Sequence, residues 1–299
     1  MQLVLTLIAD PAAPALTPTL ADGVRAALAA AGASCGAPDW LAPDVACDLP
    51  FDGLDPARAE AAAAEALGDQ PIDLAVQPRD DRRKRLLVAD MDSTVVTSET
   101  LDDLAAFAGL KDRIAPITAR TMAGELDFAQ SLRARVAMLA GLPVSTLDEA
   151  AAQVVLSPGA RVLVQTMRAH GAHTALVSGG FTDFTGRIRD ACGFHDHQAN
   201  RFVVENGVLA GRVEEPILDR DAKLTLLNRL CADLGLTPNA ACSVGDGAND
   251  IAMLSAAGLG VAYHAKPKTR AAARVRVDHG DLTALLYLQG YRRAEFTGA

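Results

Sequence analysis

The chain has 299 residues, half of them hydrophobic and 22% charged, which excludes a disordered protein and leaves room for about two domains of roughly 100–200 residues each. A formal charge of −9 suits neither nucleic acid nor an anionic membrane, although a few local cations can still receive an anionic substrate. No apolar run approaches the roughly 20 residues that span a bilayer, and aromatics are only 4%, so the core must rest on Ala, Leu and Val.

From Gln2 to Ile8 the chain is apolar. No Lys or Arg precedes Arg25 and Asp10 ends the run, so a first strand over about 2–8 is expected rather than a signal peptide. An Ala-rich helix over about 19–32 stops at Gly32, and irregular strands follow over about 37–49. A second helix over about 55–67 starts at Asp55-Pro56, with Pro at the first helical position, and a strand follows over 72–76. This order resembles the βαββαβ plan of ACT-like amino-acid-binding domains. It departs from that plan after the first strand, where Asp10-Pro11-Ala12-Ala13-Pro14 stands in place of a glycine.

Residues 79–85 read Arg-Asp-Asp-Arg-Arg-Lys-Arg, the densest charge run of the chain. Between Pro78 and an apolar strand such a run reads as a solvated linker. It divides a small α+β domain, 1–78, from a larger α/β domain, 79–299. Cys35, Cys47, Cys192, Cys231 and Cys242 are odd in number and include no C-x-x-C. Reduced buried thiols in a cytoplasmic protein are therefore expected, not a disulfide framework or a zinc site.

Beyond the linker, strands at 86–89, 174–178, 240–244, 259–262 and 274–277 alternate with helices, which predicts a parallel sheet covered by helices. Asn206-Gly207, between strands at 201–204 and 208–213, predicts a hairpin. Residues about 95–155 break the alternation and are all helical. There Asp127 and Gln130 form a capping pair, Phe128, Leu132, Val136 and Leu139 an apolar stripe, and Gly141 with Pro143 a stop. A helical insert directly after the first strand reads as a cap over that strand's end.

Four segments carry chemistry. Asp90 and Asp92 lie two apart at the end of the strand Leu86-Leu-Val-Ala, so both side chains leave on one side, where open α/β sheets bind ligands. Two such acids repel unless a cation or a proton separates them. Ser178-Gly179-Gly180 ends a second strand, and its hydroxyl and amides can face an anion; Leu176 excludes a G-x-S-x-G elbow. Lys223 falls in the first turn of a helix after Asp219, where a cation opposes the helix dipole. Alone it reads as a solvated lysine; facing a phosphate it would have a function. Gly245-Asp246-Gly-Ala-Asn249-Asp250 lacks the third glycine of a dinucleotide loop, and its acids suit a hard divalent cation.

In this order the four segments resemble the motifs of the haloacid dehalogenase superfamily of aspartate-dependent phosphohydrolases. Asp90-Met-Asp-Ser-Thr-Val-Val-Thr-Ser-Glu-Thr100, Ser131-Leu-Arg-Ala-Arg135-Val, Val177-Ser-Gly-Gly-Phe181 and Gly245-Asp-Gly-Ala-Asn-Asp250 are similar to the phosphoserine phosphatases within it, over about residues 84–280. The resemblance implies a Rossmann-like core with a helical cap inserted after its first strand. It implies hydrolysis of O-phosphoserine to serine and phosphate through an aspartyl-phosphate, the last step of serine biosynthesis. Asp90 would be the nucleophile and Asp92 the general acid and then base. Mg²⁺ would sit between Asp90, the backbone carbonyl of Asp92 and Asp246, with Asp250 and Asn249 behind. Ser178, Gly179, Gly180 and Lys223 would hold the phosphate. In the cap, Arg135 would take the substrate carboxylate, Glu99 the ammonium, and Met122 with Phe128 would cover the site.

Arg133 is read as structural, and His195 and His197 as marking a polar loop rather than a metal pair. The expected partner is the small-molecule substrate O-phosphoserine, with a homodimer as the assembly open to the chain and neither nucleic acid nor membrane as a partner. Two other functions share these motifs in part. A phosphatase or phosphotransferase for another small phosphomonoester differs only at Glu99 and Arg135. Against a serine-sensing regulatory protein stands the intact set of nucleophile, acid, lysine and metal positions.

Overall fold

The computed structural model describes residues 2–122 and 126–298. The chain begins with β1 (Leu3–Ala9), α1 (Pro18–Ala30), β2 (Ser34–Cys35), β3 (Asp39–Ala42), β4 (Ala46–Asp52), α2 (Pro56–Leu67) and β5 (Ile72–Pro78). Local chemistry fixes both helix starts. Thr17 accepts from Leu20 N and Asp55 from Ala57 N, each followed by Pro at the first helical position. The strands form an antiparallel sheet in the order β2-β4-β1-β5, with β3 paired to β4.

All seven residues of β1 are buried. Leu3, Leu5, Leu7 and Ala9 pack with Val24, Leu28, Ala59 and Ala63 of the two helices. The opposite face is covered by the rest of the chain. Ile8 and Ala75 join one core with Leu285, Tyr287 and Leu288. Burial on both faces explains why β1 reads as a continuous apolar run rather than an alternating one.

The charged segment 79–85 differs from the solvated linker expected of it. Arg82 lies 2.5 Å from the buried Asp48, which also accepts from Thr6 Oγ1. Arg83 sits 4.1 Å from the ring centroid of Tyr291 and pairs with Glu295 at 2.7 Å. Its cations are used because acids and an aromatic ring converge on them from both sides.

A second seam runs through Asp73. Its carboxylate accepts from the backbone N–H of Asp278 at 2.8 Å, His279 at 3.2 Å and Gly280 at 2.8 Å. Asp73→Ala leaves these donors without a partner and is expected to cost about 1–3 kcal/mol. That corresponds to a fall in melting temperature of roughly 2–4 °C per kcal/mol, readable by calorimetry.

The second sheet is built from β6 (Leu86–Asp90), β7 (His173–Phe181), β8 (Asp196–Asn200), β11 (Ala241–Gly245), β12 (Leu259–Tyr263) and β13 (Val275–Val277), while β9 (Phe202–Glu205) and β10 (Val208–Val213) form the hairpin. The order is β13-β12-β11-β6-β7-β8 and every pairing is parallel. β6 is central and buried throughout. Between β6 and β7 lie α3 (Thr100–Phe107), α4 (Lys111–Met122), α5 (Phe128–Ala137), α6 (Ser145–Ala151) and α7 (Ala160–Ala169). A bridge between Val96 and Leu156 pins the entry and exit of the helical insert together. Asp127 caps α5 as expected, exchanging bonds with Gln130. The remaining helices are α8 (Thr182–Cys192), α9 (Arg220–Asp233), α10 (Ile251–Ala256), α11 (Pro267–Ala272) and α12 (Ala284–Leu288).

The histidine expectation changes here. His197 belongs to β8 and pairs in register with Leu176, and its ring meets Thr185 Oγ1 at 2.7 Å. His195 contacts the backbone and hydroxyl of Thr174. His195 lies in the bend just before β8, a loop position as expected, whereas His197 stands in the edge strand itself. Among the described residues no helix is long and apolar enough to cross a membrane.

Candidate active site

Three neighbouring strands, β7, β6 and β11, deliver the chemistry at their carboxyl ends. Asp90 closes β6 and is 4% exposed. The chain then turns through 91–95, where Asp92 stays extended and Ser93 adopts a left-handed φ of 54°. Asp90 Oδ1 accepts from Met91 N at 2.8 Å and from Lys223 Nζ at 2.7 Å. Oδ2 accepts no hydrogen bond among the described residues.

Lys223 is 2% exposed, so it is not the solvated lysine that its place in α9 suggests in isolation. Its ammonium lies between Asp90 and Asp250, 2.5 Å from the latter. Burial alone would lower its pKa, but the two carboxylates outweigh burial and raise it, so it stays charged. Asp250 is fully buried, and its other oxygen accepts from Gly247 N at 2.9 Å. Gly245 makes this fit: a Cβ there would stand 2.3 Å from Asp250 Cγ.

Asp92 is held on both oxygens. Thr100 donates to Oδ1 through N at 2.8 Å and Oγ1 at 2.7 Å, and Ser178 Oγ donates to Oδ2 at 2.8 Å. Burial pushes the Asp92 carboxyl up, with Glu99 adding to the rise and the Thr100 and Ser178 bonds opposing it. Ser178 Oγ also accepts from Gly180 N at 2.8 Å. A Cβ at Gly180 would meet Ser178 Oγ at 3.0 Å and Asp92 Oδ2 at 3.1 Å, so the second glycine is what lets β7 close on the acid.

Asp246 follows β11 directly and is 4% exposed. Carboxylate oxygens of Asp90, Asp246 and Asp250 all lie within 4.8 Å of one another. Burial pushes Asp90 well up, and Asp250 adds to this while Lys223 opposes it. Three buried carboxylates so close, with one buried lysine among them, call for a further cation. Their hard oxygen donors fit a divalent ion of the Mg²⁺ type.

A cavity of about 200 Å³ adjoins this cluster, lined in part by Phe128, Ser178, Gly179, Lys223, Asn249 and Lys268. Phe128 reaches it from the insert, which therefore does cover the strand ends. Arg135, on the same helix, is largely buried, with Nη1 3.9 Å from Asp102 and Nε buried without a hydrogen-bond partner among the described residues. Burial lowers its pKa, and Asp102, Glu99 and Asp92 raise it, so its charge is felt by both the acid and the cap carboxylates. Glu99 precedes α3, half exposed, and accepts from Ser93 Oγ at 3.0 Å. Arg133 pairs with Glu215 on the surface at 2.7 Å. Met122 ends α4, and its side chain lies outside the described residues.

Two cations escaped the reading of the sequence. Lys268 lines the cavity. Lys266 Nζ stands 3.0 Å from Asp246 Oδ2 and 3.4 Å from Glu99 Oε1. Both follow β12, a strand end with no acid or glycine run to draw attention to it. Their sequence signal is Lys266-Pro-Lys268 immediately beyond a core strand.

Comparison with known proteins agrees with this geometry. Residues 87–255 match the haloacid dehalogenase-like hydrolase family. The phosphoserine phosphatase of Streptomyces coelicolor is 45% identical over 80% of this chain, which spans only 58% of that relative's length. The phosphoserine phosphatase of Polaromonas sp. is 44% identical over 68% of this chain and 89% of its own length. A solved structure of a probable phosphoserine phosphatase from Vibrio cholerae is 30% identical and superposes with a TM-score of 0.79, covering 98% of this chain and 88% of its own. The chain belongs to the haloacid dehalogenase-like hydrolases, and within them to the phosphoserine phosphatase family.

Proposed function

We propose that this chain is a Mg²⁺-dependent phosphoserine phosphatase acting through an aspartyl-phosphate on Asp90. The observation that carries the substrate is Arg135: a buried guanidinium whose Nε has no hydrogen-bond partner among the described residues and whose charge interacts with Glu99 and Asp92. A carboxylate is the natural partner for the one and an ammonium for Glu99, so an amino-acid phosphate satisfies both. The relatives named above carry the same activity in their names.

The residues divide the work. Asp90 Oδ2, which accepts no hydrogen bond among the described residues, attacks phosphorus. The seryl oxygen leaves with the proton of Asp92, whose carboxyl burial pushes up, in the direction that favours the acid form this step needs. Asp92 then takes a proton from the water that cleaves the acyl phosphate and restores Asp90. Lys223 and Ser178, with the amide of Gly179, face the non-bridging oxygens, and Asn249 lines the same wall, while Gly180 serves through its N–H bond to Ser178 Oγ rather than by facing the phosphate. Asp90, Asp246 and the carbonyl of Asp92 would hold the metal, with Asp250 behind them, its oxygens committed to Lys223 and Gly247. When bound, Mg²⁺ offsets the repulsion between carboxylate and phosphate. We set the domain boundary between Pro78 and Arg79, and we place the enzyme in the cytoplasm, in keeping with its five free cysteines.

Phosphate release from phosphoserine, phosphothreonine, a sugar phosphate and an aryl phosphate tests this reading. Phosphoserine is expected to be hydrolysed best, EDTA to abolish turnover, and Mg²⁺ to restore it. Ca²⁺ is expected not to, because its larger and looser shell misplaces the carboxylate. Full activity in chelator, or equal rates across the panel, would overturn the assignment.

A further inference from the structure

Lys266 stands at the junction of the two halves of the site. Its Nζ lies 3.0 Å from Asp246 Oδ2, in the metal cluster, and 3.4 Å from Glu99 Oε1, in the cap. Its backbone is fixed to the same loop, with Lys266 N donating to Asp246 O at 3.0 Å. The anchor is stiffened from behind. His264 Nε2 meets Gly280 O at 3.0 Å, and Gly280 N donates to Asp73 in the first sheet. The side chain itself is 54% exposed, so the stem can swing into solvent while the backbone stays.

We propose that Lys266 is a displaceable internal counter-ion, which competes with the divalent metal for Asp246 and with the substrate's ammonium for Glu99. The second half of this rests on the phosphoserine reading; the first does not. The physical case has three parts. The acids Asp246 and Glu99 face each other across the site and need a cation when nothing is bound. An ammonium is the group Glu99 would receive from an amino-acid substrate, so the lysine occupies that place with the same chemistry. A lysine and a divalent ion on one carboxylate repel each other, so binding the metal must release or weaken the lysine contact. The half-exposed, flexible stem lets the ammonium leave the buried Asp246 for water, and its other pair, with the half-exposed Glu99, is weak. The expected consequence is a site that resists stray cations and a partial load, and that opens when metal and amino acid arrive together.

The test uses the full chain and two variants, Lys266→Met, which keeps the stem without the charge, and Lys266→Arg, which keeps the charge. Mg²⁺ binding is measured by isothermal titration calorimetry with no substrate present. Lys266→Met is expected to bind Mg²⁺ on the order of tenfold more tightly, the effect of removing one positive charge near a divalent ion. Lys266→Arg is expected to stay near wild type. At saturating Mg²⁺, KM for phosphoserine is expected to fall severalfold in Lys266→Met, while KM for an aryl phosphate, which has no ammonium, does not. Unchanged or weaker Mg²⁺ binding in Lys266→Met would overturn the proposal and make Lys266 a support for Asp246. Equal changes in KM for the two substrates would overturn its Glu99 half. If phosphoserine is not a substrate at all, the calorimetric result still stands on Asp246 alone. The two failures are therefore distinguishable.

Discussion

Asp90→Ala is expected to lower phosphoserine turnover by roughly four orders of magnitude or more while the protein stays folded. The expectation of lost activity is chemical. Asp92 has both oxygens committed to Thr100 and Ser178, and Asp250 has both committed to Lys223 and Gly247. Neither can take over the attack. The expectation of retained folding is electrostatic. Asp90 is one of three buried carboxylates within 4.8 Å of one another, and burial makes its charge costly. Without it, Lys223 keeps Asp250 at 2.5 Å, so no buried cation is stranded. The melting temperature should therefore hold or rise. A steady-state assay beside a thermal melt decides the matter. Turnover within a factor of ten of wild type would remove Asp90 from the role of nucleophile, and a collapsed melt would make it structural.

The parts of this protein that the sequence displays are the local ones. A short apolar strand followed at once by Asp90 and Asp92, or by Ser178-Gly-Gly180, shows its chemistry within a few residues, because the parallel sheet itself gathers strand ends. Capping at Asp127 and the Asn206-Gly207 hairpin are equally local, and the structure contains both. What fails to show is whatever depends on a partner far along the chain. Lys223 looks solvated until Asp90 and Asp250 are brought to it from other strands. Arg82 looks like linker until Asp48 and Thr6 of the first sheet meet it. β8 is made of Asp196-His-Gln-Ala-Asn200 and carries no strand pattern, because it lies at the sheet's edge and only Ala199 and Asn200 are buried. Lys266 follows the same rule, with its two acids lying some 20 and 167 positions away along the chain.

Arg135→Ala is expected to separate substrates rather than abolish chemistry. The guanidinium lies in the cap, and among the described residues its one ion pair is with Asp102 rather than with any phosphate-facing group. Its nearest acid, Asp102, is 3.9 Å from Nη1, longer than a good ion pair, and both Arg135 Nε and Asp102 Oδ1 are buried without a hydrogen bond among the described residues. A buried arginine so poorly satisfied gains most from a ligand that brings a carboxylate, through paired N–H···O bonds. Losing one partner of such a desolvated pair costs about 2–5 kcal/mol. At about 1.4 kcal/mol per factor of ten, kcat/KM for phosphoserine should fall roughly 30-fold to several thousand-fold. An aryl phosphate has no carboxylate to lose, so its kcat/KM should change by much less. Arg135→Lys should recover only part of the loss, since an ammonium keeps the charge without the planar fork. Equal losses on both substrates would assign Arg135 to holding the cap closed over Phe128. No loss on either would move the carboxylate contact away from α5 and favour a phosphatase of broader range.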